Sequence, residues 1–312
     1  MATMTVSVCT YNRADRLPDL VAALRRQECP VTFEILIVDN NSSDDTQRVL
    51  AELAAGEGAT LRFVREMVPG IVPARNRALE ECLGSTYMVF MDDDEIPKPG
   101  MLAAAFDALE REAADCVGGR VKVPFEPGER PEWLLDELLG FLAELDHGPE
   151  PFWITDHTTP IWTSNAAYRM AIFGDGLRFD NRYNRVGKAG FGGEDAMMFE
   201  TLLKRQVKIR YRPDMEVEHH VEKWRFTRSY FFKLHYTAGS KVGRWQNSIY
   251  PRMACGVPPF MVAQALRQLA IALQMFATGD SHAVRQGMKA TYAFGLIAGR
   301  FRKWREEGKG VC

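Results

Sequence analysis

Short apolar runs alternate with amphipathic stretches in the N-terminal third of the chain. Four runs of aliphatic and β-branched residues predict buried strands at positions 5–9, 33–38, 61–64 and 88–91. After the first run, Leu17, Leu20, Val21 and Leu24 recur at helical spacing. Strands that alternate with helices on short loops are typical of βαβ units. The pattern therefore predicts an α/β domain with a Rossmann-like, mainly parallel central sheet flanked by helices.

The fourth apolar run ends in four consecutive carboxylates, Asp92 to Glu95. Open α/β sheets bind their ligands at the carboxyl ends of the parallel strands. Adjacent negative charges repel one another, and Mg²⁺ or Mn²⁺ compensates them well when it also binds phosphate oxygens. The run therefore predicts a divalent cation and a phosphorylated ligand at this strand end. An acidic turn before Pro97 and Pro99 is the alternative that this run alone leaves open.

Two nucleotide-binding motifs are absent from the sequence. After the first strand the chain reads Thr-Tyr-Asn-Arg, where a dinucleotide-binding domain has G-x-G-x-x-G. The phosphate-binding motif G-x-x-x-x-G-K-[ST] does not occur either. Side chains and a metal ion, rather than a glycine-rich loop, are therefore expected to hold any nucleotide.

Charge is divided unevenly along the 312 residues. Residues 222–312 contain 15 Lys/Arg and 4 Asp/Glu, although the whole chain has a net charge of −2. Aromatic residues interleave with these cations from Trp224 onward, and one row keeps helical spacing: Val262, Leu266, Leu269, Leu273 and Phe276. Basic amphipathic helices of this kind suit an anionic membrane surface. Helices that pack on the rest of the protein or at a dimer contact are the alternative, and no nucleic-acid-binding motif is found.

Targeting and metal-cluster patterns are also absent. No signal-peptide pattern opens the sequence, and its six cysteines include no C-x-x-C pair. No window approaches about 18 uninterrupted apolar residues, so a spanning helix is not expected. These observations favour a cytoplasmic protein.

Seven motifs, in this order, resemble family 2 glycosyltransferases of the GT-A fold. Four lie in the N-terminal part: Val-Ser-Val-Cys-Thr-Tyr-Asn-Arg (6–13), Glu-Ile-Leu-Ile-Val-Asp-Asn-Asn-Ser-Ser-Asp-Asp-Thr (34–46), Ala-Arg-Asn-Arg-Ala (74–78) and Phe-Met-Asp-Asp-Asp (90–94). Three lie later: Ser-Asn-Ala-Ala-Tyr-Arg (164–169), Gly-Gly-Glu-Asp (192–195) and Glu-Val-Glu-His-His-Val (216–221). One departure is Ser164, where many members have Gly before the Asn.

The resemblance implies a division of the chain and roles for its residues. A catalytic GT-A domain would span 1–222, with a nucleotide-sugar half to about residue 100 and an acceptor half after it, and a basic amphipathic helical region would span 223–312. The implied nucleotide contacts are Thr10, Tyr11, Asn12, Asp39 and Arg75. Asp92 and Asp93 would contact the ribose or metal-bound water, and Asp94 would contact the metal ion, Mg²⁺ or Mn²⁺.

Two further site residues follow from motifs in the second half. His219 lies two residues after Val217 on an apparent strand, so it is a candidate second metal ligand, with a structural histidine as the alternative. Asp195 would act as the general base on the acceptor hydroxyl, and Glu194 would orient the acceptor. The alternative for this acidic pair is a helix N-terminus favoured by the macrodipole.

The leading hypothesis is an inverting, metal-dependent transfer of a sugar from a nucleotide-diphospho-sugar, with a uridine-type donor favoured. The acceptor would be a hydroxyl of a saccharide or lipid-linked saccharide, in bacterial polysaccharide or glycolipid assembly at the cytoplasmic membrane face. The alternatives are a polyprenyl-phosphate sugar synthase and an inactive sugar-nucleotide-binding subunit of a larger synthase. Nucleic acid is not an expected partner.

Overall fold

The computed structural model describes residues 4–186, 189–190, 192–245 and 250–307. Contacts divide the chain into two compact units, one of residues 1–124 and 143–220 and the other of residues 125–142 and 221–312. The sequence-based boundary after residue 222 leaves the segment 125–142 in the catalytic part. In the structure this segment packs within the second unit, since the rings of Trp133 and Phe141 contact that of Phe231.

One mixed sheet forms the framework of the first unit. The strands, in chain order, are β1 (Met4–Thr10), β2 (Phe33–Asp39), β3 (Leu61–Arg65), β4 (Tyr87–Asp92), β5 (Glu95–Pro97), β6 (Cys116–Lys122), β7 (Phe152–Ile154), β8 (Asn165–Arg169), β9 (Arg185–Val186), β10 (Ala189–Gly190) and β11 (Ile209–His219). The sheet order is β3-β2-β1-β4-β8-β6-β11-β5, with β7 on β11, while β9 and β10 pair separately. Strands β1 to β4 pair in parallel, and β8 runs antiparallel to both β4 and β6. The predicted α/β architecture is confirmed.

Helices cover the sheet and build the second unit. The first unit contains α1 (Leu17–Arg25), α2 (Thr46–Ala54), α3 (Ile71–Cys82), α4 (Met101–Glu110) and α5 (Glu194–Lys204). The second contains α6 (Arg228–Trp245), α7 (Pro259–Thr278) and α8 (Ala283–Glu306). Strands β1, β2 and β4 are buried on both faces, which explains why they read as continuous apolar runs rather than alternating ones.

A bulge in β11 sets the position of that strand's end. The register against β6 shifts between Arg212 and Glu216. A Cβ on Gly119 would lie less than 3.0 Å from the Met215 carbonyl oxygen, so the strands can approach this closely only at glycine. The side-chain Nδ2 of Asn165 also donates a hydrogen bond to the Met215 carbonyl oxygen, at 2.8 Å. Beyond the bulge, β11 pairs with β5 and brings His219 opposite Glu95, next to the acidic turn.

In the second unit, α6 and α8 pack through facing glycines. A Cβ on Gly239 or Gly243 would lie less than 3.0 Å from a backbone oxygen of α8, and one on Gly295 or Gly299 would meet a backbone oxygen of α6 in the same way. Each helix therefore carries a G-x-x-x-G pair that allows close backbone approach. The packing of these glycines against each other was not predicted from the sequence.

Helix α7 packs against α8 along one side and is otherwise mostly exposed. By length and composition alone, this one helix of the described residues is long and apolar enough to cross a membrane. Helix α7 contains no long uninterrupted apolar run, because four polar residues interrupt it: Gln264, Arg267, Gln268 and Gln274. This is why a spanning helix was not expected from the sequence.

We expect Gly243→Ala to lower the free energy of unfolding by about 1–3 kcal/mol or more, because the added methyl group forces α6 and α8 apart. Urea unfolding followed by far-UV circular dichroism measures this change. Gly140→Ala is the control, since a Cβ there meets no atom within 4 Å. Equal midpoints for the two variants would contradict the close-packing interpretation.

Candidate active site

The carboxyl ends of three adjacent parallel strands meet at one edge of the sheet. Thr10, at the end of β1, is in register with Asp39 of β2, and Cys9 is in register with Asp92 of β4. The Thr10 hydroxyl donates to Asp93 Oδ2 at 2.7 Å. The strand register therefore brings residues from two sequence motifs into direct contact.

The predicted nucleotide residues lie in the loops that follow β1 and β2. Asp39 is fully buried, and it accepts hydrogen bonds from the Ser42 amide at 3.0 Å and from the Gln47 side chain. Asn12 has a positive φ of 54°, and its Oδ1 accepts from the Ser43 amide at 2.8 Å. These bonds join the two loops.

The Tyr11 side chain, directly after β1, is 55% exposed. This exposure argues against a role for the ring in the core. The exposed Tyr11 ring, in a loop that is hydrogen-bonded to its neighbour, can stack on a planar base.

Asp94 and His219 come together where β11 ends. His219 Nε2 lies 3.5 Å from Asp94 Oδ2, and the His220 amide donates to the Asp94 carbonyl oxygen at 2.8 Å. Burial by itself would raise the pKa of Asp94, but the hydrogen bond and charge of His219 outweigh it and lower that pKa. Asp94 is therefore the member of the acidic run that is most readily ionised.

The other acids of the run are harder to ionise. Burial and the neighbouring carboxylates raise the pKa of Asp93 to about 7, although Thr10 donates a hydrogen bond to it. Burial also raises the pKa of Asp92, against the effect of Arg75. Glu95 is only 2% exposed, and burial raises its pKa well above the usual value. The pKa of Asp94 is thus shifted in the opposite direction from those of Asp92, Asp93 and Glu95.

Glu95 is a site residue to which the sequence analysis gave no role of its own. Its Oε2 accepts a hydrogen bond from the Asp92 amide at 3.3 Å, so the side chain folds back under the turn. The pairing of β5 with β11 places it opposite His219. The carboxylate run already contained this residue, but only the strand pairing shows that it points inward.

The residues present are compatible with a metal ion that is shared with a ligand. Among the described residues, no three His, Cys, Asp or Glu side chains form a cluster that would hold a metal by themselves. Asp94 and His219 supply two ligands, one of them an ionised carboxylate. Mg²⁺ commonly binds through one or two carboxylates together with waters and substrate phosphates. The donor set therefore fits a metal held jointly by protein and diphosphate.

Arg75 of α3 connects the acidic turn with the start of α5. Its guanidinium donates to Asp195 Oδ1, to Glu194 Oε1 at 3.2 Å and to Asp92 Oδ1 at 3.4 Å. The Arg75 side chain is 4% exposed, and burial opposes its charge, but the three carboxylates together raise its pKa. A single buried cation thus joins the two halves of the proposed site.

Helix α5 begins at Glu194. Gly192 and Gly193 have φ values of 62° and 94°, a conformation that L-residues rarely adopt. Glu194 and Asp195 therefore lie in the first turn, where the helix dipole favours acids. Glu194 is buried on Arg75, so any effect it has on an acceptor passes through that guanidinium, whereas Asp195 remains partly exposed.

The site offers three groups that can do chemistry. The first is the Asp94 carboxylate beside the His219 imidazole, and the second is the exposed Tyr11 ring. The third is the partly exposed Asp195 carboxylate, which contacts the Arg75 guanidinium. The first pair suits a metal–diphosphate complex, the ring suits a base, and the second carboxylate suits proton removal from a hydroxyl. A nucleotide-linked donor and a hydroxyl acceptor would therefore meet near Arg75.

Comparison with known proteins identifies a family and several relatives of this chain. A family model described as Glycosyl transferase family 2 matches residues 5–177. Among curated proteins, the chain is similar to Glycosyltransferase AglE of Haloferax volcanii, with 25% identity over 126 residues, which is 40% of this chain and 41% of AglE. The matches cover less than half of the length of the first curated relatives.

Two solved structures share the fold over nearly the whole chain. The mannosyltransferase PcManGT from Pyrobaculum calidifontis, in complex with GDP-Man and Mn²⁺, gives a TM-score of 0.59 at 18% identity and covers 98% of this chain and 88% of its own. S. aureus TarS 1-349, in complex with UDP-GlcNAc, gives 0.53 at 16% identity and covers 98% and 92%. At these identities the likeness establishes the fold, and the predicted GT-A architecture with C-terminal helices is confirmed.

We expect Arg75→Ala to lower the free energy of unfolding by about 3–5 kcal/mol, because it leaves the buried Glu194 carboxylate without its cation. Urea unfolding measures the loss, and adding Glu194→Gln should recover part of it. Arg48→Ala is the control, since Arg48 also contacts two carboxylates but on the surface, where such pairs contribute less than about 1 kcal/mol. Equal losses for Arg75→Ala and Arg48→Ala would contradict the proposed dependence on Arg75.

Proposed function

The chain belongs to glycosyltransferase family 2, whose model covers more than half of it, and we propose that it transfers a sugar from a nucleotide-diphospho-sugar to an acceptor hydroxyl. The observation that carries the proposal is the Arg75 guanidinium, which contacts both Asp92 on the donor side and Asp195 on the acceptor side. Donor and acceptor chemistry can therefore take place within the reach of one side chain.

In this proposal, the loops after β1 and β2 bind the nucleotide. Tyr11 stacks on the base, while Thr10, Asn12 and Asp39 shape the pocket through the hydrogen bonds that fix these loops. Asp92 and Asp93 contact the ribose or metal-bound water. We favour a uridine-type donor, although the GDP-Man bound to PcManGT shows that a protein of this fold also accepts a guanosine donor.

Asp94 and His219 are proposed to hold Mg²⁺ or Mn²⁺ against the diphosphate. When bound, the cation stabilises the negative charge that develops on the departing diphosphate. The lowered pKa of Asp94 keeps its carboxylate ionised and ready to coordinate. Glu95 stabilises the acidic turn by accepting a hydrogen bond from the Asp92 backbone amide.

Asp195 is proposed to take the proton of the acceptor hydroxyl as that oxygen attacks the anomeric carbon. A single base opposite the leaving group gives in-line displacement and inversion at this carbon. In the structure, however, Asp195 Oδ1 accepts a hydrogen bond from the Arg75 guanidinium. We propose that the donor diphosphate attracts the Arg75 guanidinium and so leaves Asp195 free to accept the proton.

The proposed acceptor is a saccharide or a lipid-linked saccharide, in bacterial polysaccharide or glycolipid assembly on the cytoplasmic side of the membrane. Asp195 supports a hydroxyl acceptor, since a phosphate acceptor has little need for a base. Helix α7, with its exposed apolar side, supports a membrane location.

We expect Asp94→Asn to abolish turnover while the protein stays folded, because the amide cannot replace the anionic metal ligand. A thermal-shift screen of nucleotide-sugars with and without Mn²⁺ provides the measurement, since a ligand that binds the native state raises its apparent stability. Wild type should show a Mn²⁺-dependent shift that Asp94→Asn lacks. Full activity of wild type in excess EDTA would refute the metal requirement.

We expect Asp195→Asn to lower kcat by about 10²–10⁴-fold, the usual contribution of a general base. Donor affinity should not fall, because Asp195 itself makes none of the proposed nucleotide or metal contacts, whereas Glu194→Gln should weaken acceptor use by displacing Arg75. Steady-state kinetics with chemistry shown to be rate-limiting measures both effects. Glu200→Gln, an exposed acid on the same helix, is the control, and a wild-type rate in Asp195→Asn would place the base elsewhere.

A further inference from the structure

Helix α7 presents a wide and mostly exposed apolar surface. At one edge of it, the Phe276 ring contacts Phe232 and Arg228 of α6. The helix contacts α8 through the buried residues Met261, Ala265 and Ala272. Away from that contact, Leu266 and Leu273 are 55% and 61% exposed. The apolar surface, here called the α7 face, consists of Val262, Ala263, Leu266, Leu269, Ala270, Leu273, Phe276 and Ala277. Contiguous apolar patches on protein surfaces commonly mark a site of interaction with a protein or a membrane.

The charges of the same unit show which partner fits. The described part of this unit contains 15 Lys/Arg and 9 Asp/Glu, a net charge of +6. Several exposed cations form no ion pair with any described residue: Lys233, Arg252, Arg267, Lys289, Arg302 and Arg305. Arg267 lies on α7 itself, and it is the only charged residue of the helix. The unit that carries the α7 face therefore has an excess of positive charge.

Positive charge argues against a second copy of the chain as the partner. Two copies would bring like charges together, whereas anionic lipid attracts each basic residue near its surface by about 1 kcal/mol. A coiled-coil seam also has charged residues beside its apolar row, but the positions beside this row are Ala263, Ala270 and Ala277. Their small side chains widen the apolar surface instead, as suits contact with lipid.

We propose that α7 lies in the plane of an anionic bilayer surface, with the α7 face at the acyl boundary and the neighbouring cations among the headgroups. Lying in this plane agrees with the packing of α7 along α8 and with the polar side formed by Gln264, Arg267 and Gln274. Binding of this kind needs neither sugar donor nor acceptor, so the proposal does not depend on the proposed reaction.

Co-sedimentation of the full chain with vesicles tests the proposal. One set contains phosphatidylglycerol and phosphatidylcholine, and the other contains phosphatidylcholine alone, each at low and high salt. Leu273→Glu and Gln274→Glu add the same charge at neighbouring exposed positions, but only the first lies on the α7 face. We expect salt-sensitive binding to the anionic vesicles, a loss of about tenfold or more in Leu273→Glu and little change in Gln274→Glu.

Three results would overturn the proposal. The first is no binding of wild type to anionic vesicles, and the second is equal binding of the two variants. The third is a wild-type dimer, seen by light scattering, that Leu273→Glu dissociates while vesicle binding is unaffected. This last result would assign the α7 face to a second copy of the chain.

Discussion

The buried guanidinium of Arg75 is the group on which the candidate site depends. Its side chain is 4% exposed and contacts Asp92, Glu194 and Asp195, so each carboxylate compensates a charge that could not be buried alone. The same contacts hold the start of α5 against the acidic turn. They also keep the Asp195 carboxylate paired with the guanidinium. One ion-pair network thereby links stability, geometry and the proposed chemistry.

The sheet determines which acids can take part. Parallel pairing of β1 with β2 and β4 brings Thr10, Asp39 and Asp92 to one edge, and the bulge in β11 brings His219 to the same edge from the other side. Burial then separates the acids by pKa. Asp94 is held ionised by His219, whereas Asp93 and Glu95 are pushed toward the neutral form. The four consecutive carboxylates therefore differ in how readily each one ionises.

The second unit shows how backbone packing creates a surface. Facing glycines let the backbones of α6 and α8 come into direct contact, so these two helices pack closely against each other. Helix α7 packs along α8, contacts α6 at Phe276 and leaves most of the α7 face exposed. An apolar helix side that the fold does not cover, in a unit with excess positive charge, is matched by an anionic lipid surface.

Local periodicity was enough to predict the strands β1 to β4, the helices between them and the acidic strand end, because buried strands and amphipathic helices leave patterns within a few residues. The motifs also named Arg75, Glu194, Asp195, Asp94 and His219 as candidates. Only the tertiary structure decided that Arg75 contacts Asp195, 120 positions away, that Glu95 points inward, and that residues 125–142 pack with the C-terminal helices. These contacts are made between distant segments, and neither spacing nor hydropathy along the chain records which of them meet.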